Sequence, residues 1–315
     1  MAAFNIDSKD IDILKHFTNN ATGKTFLITG ASDGGIGAQV AKTLAHASPK
    51  LLILLGRTAS KIAPVVETIK KTNPTIGAHF IKVDFSAFEE VKELTDRVHV
   101  LINNAGIMAP KEFCTSEDGV ESQFAACYLG HFLLTNLLLE AGMVGRDGDT
   151  IVNVGSLVYQ LGEVQLDDIN FQDGKTYHGW KAYGQAKTAL NLYNCSLASG
   201  LAQKNVAVLI AHPGVTYESK LFENASADQE YLLEAYHMAI ERNNGNPLPQ
   251  QIMVSLSQAA GVVLLAALNP AFRASGAFIV DNKIYTETKD YATDPDTAQK
   301  LWELSEKLVG QKFTL

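Results

Sequence analysis

Short apolar runs along the chain alternate with longer segments in which apolar residues recur every three or four positions. The short runs predict seven strands, at Thr25–Thr29, Leu51–Leu55, His79–Val83, Val98–Ile102, Thr150–Val154, Val206–Ile210 and Ala277–Val280. The longer segments predict helices at about Ile36–Ala47, Ser60–Lys71, Phe88–Arg97, Val120–Ala141, Trp180–Gln203, Asp228–Arg242, Gln250–Leu268 and Pro295–Gly310. Buried strands that alternate with helices indicate a doubly wound parallel sheet of about seven strands, with helices on both faces.

Two regions interrupt this alternation. Residues 159–179 and 217–249 contain clusters of Gly, Asn, Asp and Pro, and each region follows a predicted strand. In an open α/β sheet, ligands bind at the carboxyl ends of the strands, so we expect both regions to be substrate loops. The chain has no internal repeat and no low-complexity linker, and we therefore expect residues 1–315 to form one domain.

Composition and charge exclude several classes of protein. The formal net charge of −8 argues against a nucleic-acid partner, because binding to phosphates requires a basic surface. The longest apolar stretches, such as Val262–Leu268, are far shorter than the roughly 18 residues of a membrane span. The 3 cysteines form no CxxC pair, the N-terminus does not resemble a signal peptide, and no histidines have paired metal-ligand spacing. We expect a cytoplasmic protein without a metal or a membrane partner.

A glycine-rich loop follows the first predicted strand and precedes a helix, in the sequence Thr29-Gly30-Ala31-Ser32-Asp33-Gly34-Gly35-Ile36-Gly37. Glycines in this position allow a tight turn and close approach of the backbone to a pyrophosphate, and the N-terminus of the helix offers free N–H groups to the phosphates. The loop predicts a Rossmann-type dinucleotide site. The cofactor-binding residues in this loop are expected to be Gly30, Ser32, Gly35, Ile36 and Gly37.

The residue about 20 positions beyond this loop reads the ribose of the cofactor. That residue is Arg57, and no acidic residue lies between Leu51 and Lys61. An arginine can pair with a 2′-phosphate, so the sequence favours NADP (NADPH) over NAD. The alternative is that Arg57 is a solvated surface residue. Asp33 argues against NADP, because its acid group could lie near the same phosphate.

Several segments together resemble the short-chain dehydrogenases/reductases, and within them the retinol-dehydrogenase-like group. The glycine loop is similar to the TGxxxGxG element of that family, with one extra residue between Gly30 and Gly35. Asn103-Asn104-Ala105-Gly106 is similar to the family's NNAG element, and His212-Pro213-Gly214 resembles the segment that meets the nicotinamide. The resemblance implies further cofactor contacts at Asp84, Asn104, Ala105, Gly106, Pro213 and Gly214.

The candidate catalytic residues are Ser156, Tyr183, Lys187 and Cys127. Tyr183 and Lys187 are four residues apart, so on a helix they share a face, and a nearby ammonium stabilises a phenolate. Such a pair is a general acid for carbonyl reduction or a base for alcohol oxidation, and it also binds the cofactor's ribose in the family. Ser156 follows a predicted strand and would hold the substrate oxygen. Its separation of 27 residues from Tyr183 resembles the retinol-dehydrogenase-like group.

Cys127 stands where the resemblance predicts an asparagine. The family asparagine holds a relay water near the lysine, largely through its main-chain carbonyl. Cys127 keeps that carbonyl but loses the amide. One interpretation is that Cys127 is a small packing residue and the enzyme is active. The other is a slowed enzyme or a non-redox catalyst on the same fold. A further alternative is a dinucleotide-binding regulator without turnover, against which the Ser–Tyr–Lys set argues.

We therefore expect an NADP-dependent oxidoreductase that interconverts a carbonyl and an alcohol on a largely apolar small molecule. An aromatic group in the loops is a candidate lining of the substrate pocket, although such residues also often cover a core; it comprises Tyr159, Tyr177, His178, Trp180 and Tyr217. The helices Val120–Ala141 and Trp180–Gln203 resemble those through which family members form homo-oligomers.

Overall fold

The structure, a computed structural model, describes residues 4–83, 97–216, 218–223, 225, 228–249, 252–273 and 276–315. Asp84, Tyr217 and the predicted helix Phe88–Arg97, apart from its last residue, lie outside the described residues. The fold is α/β, and one sheet runs through the whole molecule.

That sheet has eight strands in the order β3-β2-β1-β4-β5-β6-β7-β8. The strands are β1 (Thr25–Thr29), β2 (Leu51–Gly56), β3 (Gly77–Lys82), β4 (Val100–Asn103), β5 (Thr150–Val154), β6 (Ala207–His212), β7 (Phe278–Val280) and β8 (Lys283–Ile284). All neighbouring pairs are parallel except β7 and β8. The seven predicted strands are confirmed. The sequence analysis missed β8, which pairs with β7 through a turn at Asp281 and Asn282, both with positive φ.

Helices cover both faces of the sheet, as predicted. They are α1 (Asp10–His16), α2 (Thr18–Ala21), α3 (Ile36–Leu44), α4 (Ala59–Thr72), α5 (Ser122–Phe124), α6 (Gly130–Glu140), α7 (Gly179–Gly200), α8 (Lys220–Glu223), α9 (Gln229–Arg242), α10 (Leu256–Leu268) and α11 (Pro295–Val309). One core cluster joins the sheet to α1, α3, α4 and α10, and a second joins the opposite face to α6, α7 and α11. Within the described part of the chain, no helix has the length and apolarity to cross a membrane.

The N-terminal helix α1 was not predicted, and a buried acid holds it in place. The Asp10 carboxylate accepts hydrogen bonds from Gln39 Nε2 at 2.6 Å, Thr43 Oγ1 at 2.6 Å and Ser257 Oγ at 2.5 Å. These three donors lie on α3 and in the first turn of α10. Asp10 therefore connects α1 to both helices through contacts that are distant in sequence.

Two predicted helices begin later than expected because side chains cap them. Glu121 accepts hydrogen bonds from the N–H groups of Gln123 and Phe124, so α5 begins at Ser122 and not at Val120. Ser255 and Gln258 form a capping box, so α10 begins at Leu256 and not at Gln250.

Candidate active site

The side chains of Ser156 and Tyr183 meet just beyond the carboxyl end of β5. Ser156 caps the 3₁₀ helix Leu157–Leu161, and its Oγ accepts the N–H of Val158 at 3.2 Å. Ser156 and Tyr183 line the same cavity, and the Ser156 hydroxyl lowers the pKa of the Tyr183 phenol. Because Val158 occupies an acceptor position of Oγ, the hydroxyl proton remains available to Tyr183 or to a substrate oxygen.

Lys187 lies one helical turn below Tyr183 on α7. Its Nζ is 5.6 Å from the centre of the Tyr183 ring and donates to the main-chain oxygen of Val154 at 2.8 Å. This bond anchors the ammonium to the end of β5, the strand that leads to Ser156. The structure thus brings Ser156, Tyr183 and Lys187 together, and Cys127, the fourth predicted catalytic residue, lines the same cavity.

Burial dominates the ionisation of this group. It raises the pKa of Tyr183 well above its ordinary value, and the nearby Cys127 adds to that shift, whereas the hydrogen bond from Ser156 opposes it. Burial also lowers the pKa of Lys187, and Cys127 raises it. The Tyr183 phenol is therefore protonated at neutral pH in this state and has a proton to donate.

The long segment between Ser156 and Tyr183 folds back onto the helix that carries Tyr183. Thr188 Oγ1 donates to the main-chain oxygen of Gly162 at 2.6 Å and to that of Tyr159 at 3.0 Å. Gln185 Oε1 accepts the N–H of Gln165 at 2.9 Å. Because these bonds tie the segment to α7, a separation of 27 residues still leaves Ser156 and Tyr183 in the wall of the same cavity.

Cys127 lies in a π-helical turn, Ala125–Leu129, that interrupts the continuous helix predicted from Val120 to Ala141. Turns of this kind are frequent at functional sites. The Cys127 thiol is fully buried and donates to the main-chain oxygen of Ile107 at 3.3 Å. Burial raises the pKa of the thiol, although the Lys187 charge lowers it. These contacts support the interpretation of Cys127 as a packing residue.

His131, one turn after Cys127, is a residue that the sequence analysis did not assign to the site. His131 Nδ1 lies 3.2 Å from the main-chain oxygen of Cys127, which can only accept, so Nδ1 carries the imidazole proton of the neutral ring. Nε2 is then an acceptor for Thr29 Oγ1 at 2.9 Å. Thr29 Oγ1 itself accepts the N–H groups of Asn104 at 2.8 Å and Ala105 at 2.9 Å, and it lies 3.5 Å from the main-chain oxygen of Ile102. Burial lowers the pKa of His131 to about 3, which keeps the ring neutral.

The catalytic groups lie at one end of a cavity of about 670 Å³. Its other walls are largely apolar and are formed by the two predicted loop regions and the segment after β6, including Val158, Leu161, Trp180, Pro213, Gly214, Val215, Leu221, Phe222, Leu232, Ala235, Ala239, Pro247, Leu248 and Pro249. Two large side chains at the cavity, Tyr236 and Met253, are 49% and 51% exposed. The site therefore suits a substrate with one reactive oxygen and an apolar body.

The glycine loop forms a cradle for a dinucleotide beside this cavity. Gly35 precedes the first turn of α3 in an extended conformation, and no side chain of the described residues caps that helix. A Cβ on Gly37 would lie 2.6 Å from Asn104 Nδ2, so only glycine allows α3 to approach the Asn104 segment this closely. Ile36, Asn104 and Gly106 line the cavity, which places the cradle next to Tyr183.

A buried polar atom in the cavity wall also fits such a cofactor. The Thr216 hydroxyl lies after β6 and has no hydrogen-bond partner among the described residues. A buried hydroxyl of this kind indicates a ligand or an ordered water. Together with the uncapped α3, these residues fit a dinucleotide, which the glycine loop would hold by its phosphates and Thr216 would hold by a hydrogen bond.

The groups expected to read the ribose lie at the start of α4. Arg57 is exposed after β2, and the N–H of Asp33 donates to the main-chain oxygen of Lys61 at 2.8 Å, which joins the glycine loop to the first turn of α4. Asp33 itself is ion-paired with Lys42 at 2.6 Å. The hydrogen bond from Lys42 lowers the pKa of the Asp33 carboxyl.

Most of the loop aromatics predicted as a possible pocket lining serve other purposes. Trp180 lines the cavity, whereas Tyr159 is fully buried and its hydroxyl accepts the N–H of Lys289. The Tyr177 hydroxyl donates to the main-chain oxygen of Pro110, and His178 caps α7. The sequence contains no periodicity that distinguishes these roles.

Comparisons with known proteins agree with this geometry. A family profile described as short chain dehydrogenase matches residues 24–167. The chain is similar to short-chain dehydrogenase TIC 32 A, chloroplastic, of Brassica napus, with 32% identity over 309 residues that cover 90% of this chain and 88% of the relative. It is also similar to retinol dehydrogenase 13 of Mus musculus, with 31% identity over 301 residues that cover 91% and 84%.

Solved structures give the same result. A crystal structure of an uncharacterised protein from Mycobacterium paratuberculosis has a TM-score of 0.69 and 28% identity, and the match covers 93% of this chain and 96% of that one. The sequence similarity, the fold and the geometry of the site agree. The chain belongs to the short-chain dehydrogenase/reductase family of NAD(P)-dependent oxidoreductases.

Proposed function

We propose that the protein is an NADP-dependent enzyme that interconverts a carbonyl and an alcohol on a largely apolar small molecule. The observation that carries this proposal is the grouping of Ser156, Tyr183 and Lys187 in the wall of one largely apolar cavity, with Lys187 Nζ 5.6 Å from the Tyr183 ring centre. A buried phenol with an ammonium beneath it suits proton transfer to a carbonyl oxygen.

In the direction of reduction, Tyr183 donates its proton to the carbonyl oxygen, and the Ser156 hydroxyl holds that oxygen as negative charge develops on it. The Lys187 ammonium stabilises the phenolate that remains. The bound nicotinamide cofactor supplies the hydride. In oxidation the Tyr183 phenolate accepts the proton of the alcohol. The apolar walls exclude water from these groups and strengthen their interactions.

Positive groups near the glycine loop support the choice of NADP. Asp33 had argued against it, but its carboxylate is paired with Lys42 at 2.6 Å, which removes much of its repulsion toward a 2′-phosphate. Arg57 remains exposed beside the loop. Arg57→Ala should weaken NADPH binding by roughly 1.5–3 kcal/mol, the usual contribution of a charge-assisted hydrogen bond, and should change NADH binding little. A wild-type protein that binds NADH more tightly would refute the NADP assignment.

The activity test is a screen of apolar ketones, aldehydes and alcohols, followed by nicotinamide absorbance with each cofactor. Tyr183→Phe should lower turnover by roughly two or more orders of magnitude and leave cofactor affinity nearly unchanged. Tyr236→Phe is the matched control, because Tyr236 lines the same cavity but is half exposed. Wild-type turnover in Tyr183→Phe would refute the role of Tyr183.

A further inference from the structure

The glycine loop is one residue longer than the family element, and the structure shows where the extra length goes. Asp33 turns away from the cradle to pair with Lys42 at 2.6 Å. Gly34 follows with a φ of +78°, in the left-handed region that favours glycine. The loop therefore bulges at Asp33 and Gly34, immediately before the first turn of α3.

Lys220, from the predicted substrate loop, lies across this bulge. It is the first residue of α8, and its N–H donates to the main-chain oxygen of Gly34 at 3.3 Å. A Cβ on Gly34 would lie 2.9 Å from Lys220 Cε and 3.3 Å from both Cδ and Cγ. The extended aliphatic part of Lys220 is thus packed on the face of Gly34 where any other residue would carry its side chain.

The charge of Lys220 is close to the loop. After the hydrogen bond and charge of Lys42, the Lys220 ammonium is a further cause of the lowered pKa of Asp33. Asp33 has its direct ion pair with Lys42, and the Lys220 charge acts on the same carboxyl. Lysine side chains beside an uncapped helix N-terminus favour a bound anion there.

The residues next to Lys220 belong to the substrate cavity. Ser219, Leu221 and Phe222 line it, and Ser219 is buried. A single short segment therefore contacts the glycine loop through one residue and forms the substrate wall through its neighbours.

We propose that Lys220 is a cofactor-binding residue whose ammonium contacts the pyrophosphate of the bound dinucleotide, so that the cofactor fixes the loop that forms the substrate wall. The inference rests on the proposed function, because it requires a dinucleotide in the cradle. Lys220 would act together with the N–H groups of the first turn of α3, and the inserted Gly34 provides the room for its side chain.

The test uses two fragments of the cofactor and the full chain. ADP-ribose contains the pyrophosphate and lacks the 2′-phosphate, whereas adenosine 2′,5′-bisphosphate contains the 2′-phosphate and lacks the pyrophosphate. Their dissociation constants are measured by titration calorimetry on the wild type and on Lys220→Met, which retains a similar length and loses the charge. We expect about a tenfold weaker affinity for ADP-ribose, the lower limit for loss of one charge-assisted hydrogen bond, and less than a twofold change for the bisphosphate.

Two further variants sharpen the result. Lys220→Arg keeps the charge and should bind ADP-ribose within about threefold of the wild type. Lys204→Met removes a charge from an exposed lysine of the turn Ala202–Lys204, outside the cavity, and should change neither affinity. A Lys220→Met protein that binds ADP-ribose as tightly as the wild type would overturn the inference. A wild type that binds neither fragment would instead overturn the proposed function.

Discussion

The proposed proton transfer depends on how a few buried side chains modify one another. Tyr183 is isolated from water, which raises its pKa, and the Ser156 hydroxyl opposes that shift, while the Lys187 ammonium lies 5.6 Å from the centre of the Tyr183 ring. Lys187 is itself held by the oxygen of Val154. A change to one member of this set therefore alters the proton affinity of the others.

The sign of this coupling gives a pH dependence. Reduction requires the protonated phenol of Tyr183. The kcat/KM of reduction should therefore stay level near neutral pH and fall as the pH rises through the pKa of Tyr183, and the kcat/KM of oxidation should rise over the same range. Lys187→Met removes the charge that favours the phenolate, so both changes should move to higher pH. Initial rates in each direction across the pH range measure this shift. Unchanged profiles in Lys187→Met would contradict the role of Lys187 in setting the pKa of Tyr183.

The substitution at Cys127 can also be tested. Its thiol packs near Gly106 and bonds to the oxygen of Ile107, while its own oxygen accepts the bond from His131. If only this main-chain oxygen takes part in proton transfer, Cys127→Asn should alter turnover by less than about tenfold, under about 1.4 kcal/mol of barrier. The measurement is the initial rate with a ketone that the wild type binds. A gain far above tenfold would favour the non-redox catalyst instead.

At the scale of elements, the periodicity of the chain predicts the strands and long helices well, because their apolar positions are regular over many residues. It does not predict the π turn at Ala125–Leu129, since the apolar pattern continues across it. It also misses α1, whose position depends on bonds from Asp10 to residues far along the chain. Features that depend on long-range contacts are not encoded in local spacing.

The residues of the candidate site also fall into those that a local motif predicts and those that depend on long-range contacts. Ser156, Tyr183, Lys187 and the glycine loop were predictable because a motif or a position after a strand marks them. His131 has no such mark, although its position four residues after Cys127 is a weak signal on a helix. The pairing of Asp33 with Lys42 and the contact of Lys220 with Gly34 follow from the folding of the loops, which no local pattern shows.

The C-terminal helix α11 contributes to the core beside α7. The sequence places Leu301, Leu304 and Leu308 on one face, but in the structure Leu301 is buried, and Leu304 is only half-buried and lies outside the core cluster. Leu301→Ala should lower the free energy of unfolding by about 2–5 kcal/mol, as is usual for a buried leucine. Leu304→Ala is the matched control and should cost less than half as much. Urea unfolding of both variants measures the two losses in the free energy of unfolding. Equal losses would contradict the assignment of Leu301, and not Leu304, to the buried face of α11.

At the scale of the whole molecule, the helix that carries the acid–base pair is enclosed by its own chain. Every residue from Ala182 to Asn194 is buried, under the segment after β5, under α11 and against the sheet. The prediction that the helix Trp180–Gln203 forms a homo-oligomer contact stays a prediction, and this burial weighs against it.

Two buried histidines should make the fold sensitive to acid. Burial lowers the pKa of His131 to about 3 and that of His212 to about 4, and the charge of Lys187 contributes to both. Because the unfolded chain binds these protons below about pH 6.5, the stabilisation is present above that pH and is lost as the pH falls toward the folded values. The loss should be about 1.4 kcal/mol per pH unit for each histidine.

Urea unfolding at a series of pH values between about 7 and 5 measures this slope. His131→Gln keeps a donor and an acceptor but cannot titrate, so it should reduce the slope by about half. A slope that is unchanged in His131→Gln would show that His131 is not a source of the acid sensitivity.

The enclosure of α7 has a consequence for how the protein loses activity. The buried stretch of residues 182–194 can open only when the domain unfolds, so its amide hydrogens should exchange with solvent at the rate of global unfolding. The described residues between 228 and 249 include few buried side chains and should exchange much faster. Heating or mild denaturant would then loosen the wall of the substrate cavity first, while Tyr183 and Lys187 keep their relative positions on α7. Substrate affinity should therefore decline before the capacity for proton transfer does.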